Sequence, residues 1–209
     1  MAMRKLYRYH AEATSVAGFL QVLTANYLPA GCVLFTHGLL KPHMNASAID
    51  ADIIARYDIA ISKSARYWRK RQGTSAVHLL RYRLFYLILA SEGRHSFFER
   101  EVNIKNARKH PIQFGDYYIT FTNGHSSVRL SPQTEENLKD HFLGLACFRS
   151  AAAIAREFHA LPYLAYLPVV SQELKILGAV NAKRGAAGMG PVDEKCLTVT
   201  DFVGGAVPC

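Results

Sequence analysis

Residues 77–90 read VHLLRYRLFYLILA, and whether that run is a strand or a helix decides the class of fold. Taken as one strand, its period-two alternation places Leu80, Tyr82, Leu84, Tyr86 and Ile88 on one side, with Arg81 and Arg83 together on the other. Its leucines would also suit a helix; the alternation and the aromatic content favour the strand. The turn residues Gly73, Thr74 and Ser75 close off what precedes it.

Immediately upstream stands the most basic stretch of the chain. Ser62 is placed to cap a helix over 63–72 and Gly73 to stop it. On that helix Lys63, Arg66 and Lys70 align, while Ile61, Ala65 and Trp68 are expected to face a core. Further back, Asn45 or Ser47 caps a helix to Tyr57 that carries Ile49 and Ile53 on one face. Residues 32–36 form a short apolar strand, and 10–27 show the i, i+3, i+4, i+7 spacing of an amphipathic helix.

Downstream, 116–122 and 125–130 flank Asn123-Gly124, the pair best suited to a two-residue type I′ hairpin turn, with Tyr117, Ile119 and Phe121 sharing one face. Ser131-Pro132 opens a long helix whose inner stripe is Leu138, Phe142, Leu145, Ala152, Ala155 and Phe158 or His159. Ser171 is placed to cap a further helix containing Leu174, Leu177 and Val180. From Gly185 the chain is rich in glycine and small residues. The expected organisation is one basic domain over 1–184 and a flexible tail over 185–209. The fold class is α+β, helices packed on one face of a small mixed or antiparallel sheet, an order that admits a ferredoxin-like arrangement.

Charge is the strongest functional signal. The net charge is +9 over 209 residues. Residues 56–110 carry thirteen Lys and Arg against four Asp and Glu, whereas the flanking segments nearly balance. An excess confined to a quarter of the chain is a localised field that suits an anionic partner. The expected contacts to nucleic acid, DNA or RNA, are Lys63, Arg66, Arg69, Lys70, Arg71, Arg81 and Arg83, which neutralise phosphates and release counterions. Tyr67 and the sole tryptophan, Trp68, are placed to stack on bases or to pack inward. Arg94, Lys105, Arg108 and Lys109 extend the patch if folding gathers them. The general cast of 58–121 resembles small proteins carried by mobile elements, without a shared motif, and implies DNA transactions.

Two other readings compete. One is a nuclease or strand-transfer enzyme using Glu99, Glu101, His95 or His125 beside the basic segment; the other is an interaction module that meets an acidic protein. The nine histidines hold no His-x-His pair. Asp50 and Asp52 diverge on a helix and are expected at the surface. Cys32, Cys147, Cys196 and Cys209 show no Cys-x-x-Cys spacing, so no disulfide framework or zinc site is assigned. The glycines after residue 185 lack the Lys-Ser/Thr of a phosphate loop. No metal, cofactor or membrane span is expected, and the polar N-terminal region points to the cytosol.

Overall fold

The computed structural model describes residues 9–197. The fold is α+β, and the chain divides into two compact units, Met1–Ile112 with Thr120–Ser126, and Gln113–Ile119 with Ser127–Cys209.

In the first unit the sheet has strand order β2-β3-β1-β4, formed by β1 (Leu34–Leu39), β2 (Val77–Tyr82), β3 (Phe85–Ala90) and β4 (Lys105–Asn106). Both β1 and β2 run antiparallel to β3, and β4 antiparallel to β1. With α2 (Ala46–Arg56) and α3 (Lys63–Arg71) between β1 and β2, and the short α4 (Phe97–Arg100) before β4, the succession is β-α-β-β-α-β, that of the ferredoxin-like arrangement.

Residues 77–90 are therefore two strands and not one. They reverse at Arg83-Leu84, where Arg83 has φ +53°, a left-handed conformation uncommon outside glycine, asparagine and aspartate. No residue there advertises a turn. The reversal also redistributes the faces. Leu80 and Tyr82 lie beside Leu87 and Phe85, while Tyr86 and Ile88 join Arg81 and Leu79 on the opposite side.

Both sides are covered, where one was expected. One carries α1 (Val16–Gln21), which continues as a π-helical turn, Val22–Tyr27. Here Phe19 meets Phe85 edge-on and Tyr27 lies 4.5 Å from His78. The helix begins at Val16 rather than residue 10 because Ser15 accepts from the Gly18 N–H, while Ala11 and Ala13 pair with the backbone of Arg81 and cover the β2 edge. The other side buries Ile53, Tyr57, Ile59, Val77, Leu79, Ile88, Ala90 and Phe97 together. Gly38 on β1 makes room there: a Cβ would stand 2.5 Å from the Tyr86 hydroxyl, and the phenol would have to move.

Arg81 sits on this second side, with a side chain only 4% exposed. Its Nε donates to both Asp50 carboxylate oxygens at 2.9 Å, Nη2 meets Glu12 at 3.0 Å, and Nη1 donates to the Arg83 carbonyl at 2.7 Å. Asp50 is thus a buried partner and not the expected surface carboxylate. Only Asp52, paired with Arg56 one turn on, lies at the surface.

The three-stranded sheet has the order β5-β6-β7, from β5 (Ile112–Phe114), β6 (Tyr117–Thr122) and β7 (His125–Leu130). Asn123 and Gly124 both adopt positive φ, 53° and 82°, as the type I′ turn demands. Tyr117, Ile119 and Phe121 are buried on one face, as the alternation requires.

In the second unit Ser131 caps α5 (Pro132–Leu145). The expected single helix breaks at 146–150, and Ser150 caps α6 (Ala151–His159). Carbonyls orphaned at the break need donors. Arg184, buried on α7 (Leu167–Ala186), donates to Ala146 and Arg149 at 2.7 and 2.9 Å. The break shifts the stripe. Phe142 and Phe158 stack at 3.7 Å, Ile154 is buried, Leu145 is half-buried and Ala152 is exposed. Tyr166, not Ser171, occupies the N-cap of α7, where Leu177 and Val180 are buried but Leu174 is exposed. Of the segment expected as a tail, residues up to Leu197 are described. Asn181 pairs with the Val192 backbone through both its amide atoms, and Val192 is buried. The rest, with Cys209, lies outside the described residues. No helix among the described residues is long and apolar enough to cross a membrane.

Replacing Asp50 by Ala removes the buried carboxylate that pairs with a buried guanidinium and should cost about 3 kcal/mol in urea unfolding. Asp52→Ala, two residues away but solvated, should change stability by no more than about 0.5 kcal/mol. Equal effects would mean Asp50 is not the partner that Arg81 needs.

Candidate nucleic-acid interface

The basic segment is the helix that its caps foretell. The Ser62 hydroxyl accepts from the Ala65 N–H at 3.1 Å, and Gly73 takes φ +72° as the helix ends. The Gly73 and Thr74 N–H groups then return to Lys70 and Arg69 carbonyls, answering the last turn.

Which row of this helix meets solvent differs from the expectation. Trp68 does not face a core: it is 58% exposed and Tyr67 57%, and α3 holds no buried residue. Ser64, Tyr67, Trp68 and Arg71 form the outer row at i, i+3, i+4, i+7. Tyr67 and Trp68 meet edge to face at 5.7 Å, and the Arg71 guanidinium lies 5.4 Å from the indole centroid and 5.9 Å from the phenol. Attraction between a cation and a ring face holds such a cluster together without burying it.

In the row Lys63, Arg66, Lys70 only Arg66 is half-buried; Lys63 and Lys70 are exposed. Arg66 donates to the Ile59 carbonyl at 3.1 Å and reaches that of Ile61; Lys70 reaches the Ala30 carbonyl at 3.4 Å. Arg69 is paired with Asp58, which turns the chain at φ +46°. Among the described residues, no carboxylate or carbonyl engages Lys63 or Arg71.

The structure does not unite the remaining expected contacts with these. Arg81 is enclosed by its two carboxylates. Arg83 is exposed at the β2–β3 turn, its guanidinium over the Tyr82 ring, at the far end of a six-residue strand from α3, roughly 20 Å along the strand direction. Arg94 does join α3, because its backbone pairs with Gly73 and Ser75 just beyond the helix and its residue is exposed. Arg108 is paired with Glu92.

Of the groups considered for catalysis, His95 and Glu101 both adjoin Tyr57, whose hydroxyl donates to Glu101. The His95 Nδ1 accepts from the Phe97 N–H at 3.0 Å. His125 is exposed in the hairpin and Glu99 is exposed on α4. They do not gather beside Arg81 and Arg83. Among the described residues, no group of three His, Cys, Asp or Glu side chains could hold a metal ion.

One polar group behind α3 carried no sequence signal. His78, at 7% exposure, is packed against Tyr27, and among the described residues its Nδ1 finds no hydrogen-bond partner. Burial, with the Arg66 guanidinium as a second cause, pushes its pKa down to about 3. Nearby Cys32 is pushed up to about 11 by burial, which keeps it a thiol. No protein-family model matches the chain, and no curated protein matches it.

A histidine whose pKa is depressed on folding contributes stability above its unfolded value near 6.5, and that contribution is lost as pH falls toward 3. Between pH 6.5 and 4.5 the wild type should lose about 2 kcal/mol more than His78→Phe, which keeps the ring but cannot titrate. Parallel pH profiles in urea unfolding would show that His78 is solvated.

Proposed function

We propose that this protein binds nucleic acid, DNA or RNA, through the outer row of α3, in a cytosolic setting. The observation that carries the reading is a pair of aromatic side chains, each more than half exposed and bridged by Arg71, within the quarter of the chain that holds its excess positive charge. Burying these rings against a ligand is favourable, and the exposed Lys63, Arg71 and Arg94 offer positive charge to an anionic one. The reading differs from a uniform basic patch in what it asks of each cation. Lys63 and Arg71 meet phosphates, Arg94 supports them, and Arg66, Arg69 and Lys70 tie the helix to the loop before it and to Ala30.

Binding measured over a range of salt concentration tests this. The double variant Lys63→Ala with Arg71→Ala should flatten the slope of log K against log salt by about 1.4–1.8, the release expected for two lost phosphate contacts. Its unfolding midpoint should stay at the wild-type value, because both side chains are exposed. Arg66→Ala should lower the midpoint and leave the slope alone. An unchanged slope in the double variant would move the interface away from α3.

A further inference from the structure

We infer that the ligand of α3 is single-stranded, with unpaired bases stacked on Trp68 and Tyr67 and a phosphate on Arg71; this rests on the nucleic-acid reading above. The argument compares what the helix offers with what each ligand needs. A duplex presents phosphates on its outside and base edges in its grooves, so it selects helices rich in free cations and in bidentate donors. The outer row of α3 is poor in both. Of the cations on α3, Arg66, Arg69 and Lys70 are engaged by protein carbonyls or by Asp58, and no Asn or Gln stands between Ser62 and Arg71.

What the row does offer is aromatic surface. The two rings meet edge to face, which leaves ring surface for a base, and a base within a strand has a free face only where it leaves the helical stack, as in a single strand. Arg71 is held over both rings, so a strand whose base stacks on Trp68 brings its backbone phosphate to a guanidinium already in place. The helix is nine residues long, about 14 Å, a length matched to a few nucleotides and not to a turn of duplex. The occupant is therefore a strand of either sugar, recognised through base faces and one or two phosphates.

Trp68 is the only tryptophan in the chain, so its emission reports on this site alone. The full-length protein is titrated with oligothymidylate, with oligouridylate and with a duplex of the same length, reading both tryptophan emission and an independent anisotropy signal from labelled nucleic acid. The expected result is quenching of Trp68 by the single strands, with the DNA and RNA arms giving the preferred sugar, and at least tenfold weaker binding of the duplex. In anisotropy, Trp68→Ala should weaken single-strand binding roughly 5- to 150-fold, and Trp68→Phe should retain most of it. Since Phe keeps an aromatic face, that variant answers for any loss of fold in Trp68→Ala. Duplex binding as tight as single-strand binding, with Trp68 emission unchanged, would overturn the single-strand inference while nucleic-acid binding stood. Binding of neither nucleic acid, with quenching by polyglutamate, would overturn both in favour of an acidic protein partner.

Discussion

A guanidinium enclosed by protein must find acceptors for its donors, because the cost of stripping water from a cation is several kcal/mol. Arg81 satisfies that demand by drawing three separate pieces of chain to one point. Asp50 brings the middle of α2, Glu12 brings the segment that covers the β2 edge, and the Arg83 carbonyl brings the turn into β3. The backbone of the same residue pairs with Ala11 and Ala13. The left-handed turn at Arg83 and the segment that covers the β2 edge are both tied to this one residue. With α2 fixed on the sheet, α3 begins only a few residues later, so the interaction also governs where the aromatic row emerges.

Much of this was legible in the sequence wherever a local rule governs. Ser62, Asn45 and Ser131 cap helices as their hydroxyl and amide acceptors suggest, Gly73 ends α3, and Asn123-Gly124 makes the hairpin. The failures have a common physical character. The Arg83-Leu84 reversal rests on Arg81, which distant Asp50 and Glu12 hold in place, and the break between α5 and α6 rests on distant Arg184. Neither residue's type says which carbonyl it will find.

The candidate site shows the same division. Composition located the charge correctly in one segment, but charge counts do not distinguish a solvated cation from one already engaged. Arg81 lies beneath α2, Arg69 faces Asp58, and Arg66 answers carbonyls at the end of the preceding turn. The segment's field is therefore weaker at its surface than its sequence implies, while its aromatic surface is greater, because Trp68 turned outward. Periodicity gave two rows on α3 and no means to choose between them. The choice was made by the carbonyls of Ile59, Ile61 and Ala30, which the helix had to approach with its donors.

The central claim is one of place: nucleic acid meets the outer row of α3. Photochemical crosslinking of a single-stranded oligonucleotide to the full chain, with the modified residues located by mass spectrometry, measures that directly. The account predicts adducts on Tyr67 and Trp68. Adducts confined to other aromatic side chains, such as the half-buried Tyr118 of the hairpin, would contradict it.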